Sequence, residues 1–107
     1  MSEMLNNLKK MLGTERENQL LHYSIGNEYL KSNDFDMAEE HLRKAVSLDP
    51  AYSAGWKLLG KTLNAAEKYE EAIEVFENGI VVAENQGDIQ AAKEMKVFLK
   101  RAGKNLQ

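Results

Sequence analysis

The chain has 107 residues, 43% of them hydrophobic and 29% charged, with no cysteine. That length suits one domain, and the missing thiols exclude disulfides, thiolate metal sites and cysteine nucleophiles together. A net charge of −3, from 14 basic and 17 acidic side chains, supplies no overall positive field for nucleic acid or an anionic membrane.

In chain order, Met4, Leu8, Met11 and Leu12 form an apolar stripe at helical spacing that Gly13 ends, with Asn6, Asn7, Lys9 and Lys10 outward. His22, Ile25, Gly26 and Tyr29 form the next stripe. After Asn33-Asp34, a pair suited to a tight turn and a helix cap, come Ala38, Leu42 and Ala45. Leu48-Asp49-Pro50 stops that helix, because a residue before proline avoids the α region. Trp56, Leu59, Gly60 and Leu63 follow, then a turn of poorer chemistry at Ala66-Glu67-Lys68, then Ala72, Phe76 and Ile80. The β-rich run Ile80-Val81-Val82 is short and continues the helical pattern. Asn85-Gln86-Gly87-Asp88 reads as a loop with a cap before Ile89, Ala92, Met95, Leu99 and Ala102. The expectation is an all-α chain of six antiparallel helices. No run approaches the ~20 apolar residues of a membrane span, the N-terminus has no signal-peptide core, and a cytoplasmic location is expected.

A shift of 34 positions superposes Gly26 on Gly60, Ala38 on Ala72, Phe35 on Tyr69 and Val46 on Ile80. Small and aromatic positions recur in one register, so the chain is a repeat. Trp56-x2-Leu59-Gly60 with Ala72-x3-Phe76, and Gly26-x2-Tyr29 with Ala38, Ala45 and Pro50, resemble the tetratricopeptide repeat. The units depart from that pattern at His22, Ile25 and Leu42, and at Leu63, Gly79 and Glu84. The resemblance implies a helical-hairpin solenoid: an N-terminal half repeat over 1–13, repeats over 19–52 and 53–86, and a capping helix over 88–103. In that fold Gly26 and Gly60 let the partner helix approach, and Ala38 and Ala72 serve the same closeness. The whole chain is similar to small stand-alone bacterial proteins of this family, which have no assigned role.

Helical geometry places Tyr23, Asn27 and Leu30 on one face beside the packing stripe. Lys57, Lys61 and Asn64 repeat that face 34 residues later. By the resemblance this face lines the inner groove, where family members bind partner peptides. An amphipathic ring, two amides and two ammonium groups suit an extended acidic segment or a C-terminal carboxylate. The resemblance thus implies a non-enzymatic adaptor with a protein or peptide partner, no cofactor, no metal, no nucleic acid and no membrane. One subtype, the carboxylate clamp that grips heat-shock chaperone tails, uses Lys, Asn, Asn, Lys and Arg. Those positions fall on Tyr23, Asn27, Leu58, Asp88 and Ala92, and only Asn27 matches.

Other polar residues give no chemistry at recognisable spacing. His22 stands where the family has tryptophan and is expected to pack between helices. His41, among Glu39, Glu40 and Arg43, is expected to be solvated. Glu39-Glu40 and Glu70-Glu71 read as helix-surface charge. Met4 and Met11 read as core or end-cap packing. Charge is unevenly placed: residues 93–104 hold five bases against Glu94, and residues 67–84 hold six acids against Lys68. The bases suit a helix C-terminus, or they could dock an acidic partner or the acidic helix of a second copy. A monomer or a weak homodimer is expected, with self-association through the end helices as the alternative to peptide binding.

Overall fold

The computed structural model describes residues 2–107. Six α-helices follow in order: α1 Glu3–Lys9, α2 Gln19–Lys31, α3 Phe35–Leu48, α4 Ser53–Ala65, α5 Tyr69–Asn85 and α6 Ile89–Asn105. No strand occurs among the described residues. Side-chain oxygens set four of the six starts. Ser2, Asn18, Asp34 and Asp88 each accept the backbone N–H three residues on, which satisfies a donor the helix itself cannot. Asn33, Glu67 and Gly87 each take a left-handed backbone, with φ of 61°, 62° and 74°. The next residue's N–H then returns to the carbonyl of Tyr29, Leu63 or Ala83, so all three hairpin turns share one geometry.

α2 pairs with α3, α4 with α5, and α6 with α5. α2, α4 and α6 lie side by side in one layer, with α3 and α5 in the other. The core runs through both layers and includes Ile25, Leu42, Leu59, Leu63, Phe76 and Met95, each fully buried. Close approach depends on two glycines. A Cβ on Gly26 would lie 2.7 Å from Leu42 Cγ, and one on Gly60 would lie 2.6 Å from Phe76 Cζ. Gly79, where the family pattern has alanine, meets the last helix. A Cβ there would lie 2.5 Å from Met95 Sδ and 2.8 Å from Trp56 Cβ. Arg43 bonds Glu71 at 3.2 Å and Lys68 bonds Glu39 at 3.0 Å, which ties α3 to α5.

Several expectations change. On α1 the buried residue is Leu5, while Met4 is 58% exposed. The Ser2 cap starts the helix at Glu3 and turns Leu5 inward in place of Met4, while Leu8, Met11 and Leu12 pack against the core as the stripe predicts. The helix ends at Lys9, and Gly13 takes its φ of 77° within the turns that follow. His41 is buried, not solvated: it lies between the rings of His22 and Tyr29. Trp56 fills the edge of the space between helices rather than its centre; it is partly buried and donates Nε1–H to the Pro50 carbonyl at 2.9 Å. Phe76 occupies the centre. The first residues of α2 and α4 are 34 apart, but those of α4 and α6 are 36 apart, because α5 has 17 residues where α3 has 14 and the connection after it is one residue shorter.

Candidate peptide-binding face

Tyr23, Asn27 and Leu30 on α2 and Lys57 and Asn64 on α4 are half-buried, and Lys61 is exposed. The Tyr23 ring meets Tyr52, at the start of α4, edge-on with centroids 5.5 Å apart. Burial, then Tyr23 and Asp49, pushes the Tyr52 hydroxyl above its ordinary pKa, so it stays a neutral donor. Among the described residues no hydrogen bond joins the α2 set to the α4 set. α6 completes the α4 set. Lys57 Nζ donates to Glu94 Oε1 at 3.0 Å. Lys61 Nζ lies 5.4 Å from the Phe98 ring centroid, and the Arg101 guanidinium carbon lies 5.7 Å from it. Phe98 in turn stacks on Phe76 at 5.9 Å.

These contacts change the electrostatics expected from sequence. Lys57 is neutralised within the chain. Lys61 and Arg101 make no ion pair among the described residues, and both contact one aromatic ring. The Asn64 side-chain oxygen is buried and has no hydrogen-bond partner among the described residues; an orphaned acceptor of this kind costs about 1–3 kcal/mol. Glu94, Phe98 and Arg101 were not among the residues singled out from sequence for this face. The basic run contains Arg101, but only the packing of α6 against α4 shows which of its charges reach the face. Two clamp positions are closed, since Leu58 and Ala92 are buried apolar residues, while Asp88 caps α6.

A second polar cluster was not legible at all. Gly13 N–H donates to Glu17 at 2.8 Å, and Glu17 bonds His22 Nε2 at 2.7 Å. His22 Nδ1 lies 3.0 Å from His41 Nδ1. A hydrogen bond there needs one proton between the two nitrogens, so the pair cannot carry both Nδ1 protons and keep the contact. Burial, then the His22 charge, holds His41 below the ordinary histidine value of 6.5; Lys9 acts in the same sense, and Glu40 and Glu17 oppose it. The Gly13 amide first, then His22, lowers Glu17. No cluster of three or more potential metal ligands occurs among the described residues. No described helix is long and apolar enough to cross a membrane.

Two layers of antiparallel helices, with small residues at their crossings and a polar face along α2, α4 and α6, define a helical-repeat solenoid of the kind that mediates protein–protein interaction. Residues 20–52 match the tetratricopeptide repeat model. The chain is 46% identical over 98 residues to a TPR repeat-containing protein of Pseudomonas aeruginosa, covering 92% of this chain and 93% of that one. The chain belongs to the tetratricopeptide repeat family. Among solved structures, a protein from Bordetella parapertussis superposes with a TM-score of 0.83 at 38% identity, covering 97% of this chain and 90% of that one. The TPR2B domain of yeast Sti1, in its complex with pHsp70, superposes with a TM-score of 0.87 at 16% identity, covering 94% and 80%; that likeness is one of fold.

Proposed function

We propose that this chain is a non-enzymatic adaptor that binds an extended partner segment along the α2/α4/α6 face, with a carboxylate of that segment held by Lys61 and Arg101. One observation carries the reading: two cations without carboxylate partners share the Phe98 ring, one helical turn from the unsatisfied Asn64 oxygen. A peptide carboxylate would complete the cations. Tyr23 and Asn27 would extend the contact along α2. Lys57 joins only if the partner displaces Glu94. Fold similarity to a domain solved with pHsp70 supports a peptide-binding mode without identifying the peptide.

Affinity capture from the native host, followed by titration of the captured segment, tests this. Lys57→Glu with Lys61→Glu should weaken binding by at least ten-fold while leaving the circular dichroism unchanged, and Lys61→Gln alone should account for part of that loss. Binding should also weaken as salt rises, because exposed charges are screened beyond ~10 Å at 0.1 M. Full capture by the double variant would remove the assignment of this face.

A further inference from the structure

Outside the α2/α4/α6 face, α5 and α6 each turn a charged row to solvent. On α5 the outward residues are Glu70, Glu74, Glu77 and Val81, all exposed. On α6 they are Lys93, Val97, Lys100 and Lys104, all exposed. Both rows advance by four, three and four residues, so each forms a straight stripe roughly 16 Å long. None of the six charged residues makes an ion pair among the described residues; the acid–base pair between the two helices is Lys96–Glu84 at 3.0 Å, on their shared flank. Each stripe carries one large exposed apolar side chain, Val81 at 56% and Val97 at 49%.

The helix dipole accounts for part of this pattern. It favours Glu70 in the first turn of α5 and Lys104 in the last turn of α6. It does not account for Glu77 in the middle of α5, nor for Lys93, which lies past the first turn of α6 where the dipole no longer acts. Among the described residues α6 packs only on α5 and α4, and its stripe meets no other helix.

We propose that the two stripes are the halves of a self-association surface, the basic face of α6 in one copy lying antiparallel on the acidic face of α5 in another. In that sense Glu70 meets Lys104 and Glu74 meets Lys100, with the dipoles opposed. Val97 then lies against the Glu77 stem, and Val81 against the Lys93 stem. An interface built on exposed charge is weak and salt-dependent, and gains specificity more than strength from its pattern.

Sedimentation equilibrium on the full chain at about 0.02 M and about 0.5 M salt reads it, since screening is slight at the first and severe at the second. The weight-average mass should rise above the 12.1 kDa of one chain at low salt and return to it at high salt. Glu70→Lys/Glu74→Lys/Glu77→Lys should be monomeric at low salt, and so should Lys93→Glu/Lys100→Glu/Lys104→Glu. An equimolar mixture of the two should associate one to one. Lys9→Glu/Lys10→Glu/Lys44→Glu, with the same net charge as the second variant, should self-associate as the parent does and should not show the variant's loss. A parent that stays monomeric at low salt, a triple variant that still self-associates, or a mixture that stays monomeric would each overturn the proposal.

Discussion

Replacing Gly60 with alanine tests the close helix crossing directly, because two opposite effects of known size meet there. A helix-interior glycine-to-alanine change stabilises by about 1 kcal/mol where there is room. At Gly60 there is none: the new methyl would lie within 2.7 Å of three Phe76 ring atoms, and Phe76 is fully buried and stacked on Phe98. Such overpacking costs about 1–3 kcal/mol, so the net effect should run from neutral to about 2 kcal/mol destabilising. Gly103 supplies the control, since it lies inside α6 and a Cβ there meets nothing within 4 Å. Gly103→Ala should therefore gain roughly 0.5–1 kcal/mol. Phe76→Leu removes the ring that the methyl strikes. Gly60→Ala should then cost less in the leucine background than in the parent, with a coupling of about 1–3 kcal/mol between contacting sites. Urea unfolding of the four members of the cycle and of Gly103→Ala measures all of this. If Gly60→Ala gains as much as Gly103→Ala, or if the cycle is additive, Gly60 is not where the two helices meet.

Three further outcomes follow from particular contacts. Because His41 is held below 6.5 in the folded chain, the unfolded chain binds more protons as pH falls below that value. Thermal stability should thus be level well above pH 6.5 and decline as pH falls below that value, and His41→Gln should flatten that limb; a limb of equal slope in the variant would refute the assignment. Glu67 pays a left-handed backbone penalty, at φ 62°, that Asn33 at φ 61° pays less of, so Glu67→Asn should stabilise by up to about 1 kcal/mol in urea unfolding. Trp56→Ala should cost about 3 kcal/mol, the lower end of the range for large aromatics, because the ring is only partly buried; a loss near 5 kcal/mol would mean that it is the centre of the core.

The hairpins were legible because their signals are local or strictly periodic. Asn33-Asp34 carries both a left-handed turn and a cap, and Gly26/Gly60 with Ala38/Ala72 recur at 34 because one crossing is built twice. The histidine pair lacks such a signal. His22 and His41 are 19 residues apart on two helices, and each looked explained by its own neighbours, one by a packing position and the other by surrounding charge. Only the pairing of α2 with α3 turns His41 inward.

The face along α4 was half legible, for a related reason. A spacing of 34 sets Glu94 in the place of Gly60, as a flaw in a third repeat. The observed start of α6 is two residues later than that register requires, so Glu94 comes to Lys57 and cancels it. Phe98 and Arg101 come to Lys61 by the same slip. The extra length is in α5, whose Gly79 lets Met95 and Trp56 close over it where the family pattern has alanine. A change in the packing of the outer layer thus decides which cations on the inner layer remain free for a partner. Sequence periodicity, which assumes that each unit repeats the last, has no means of registering that change.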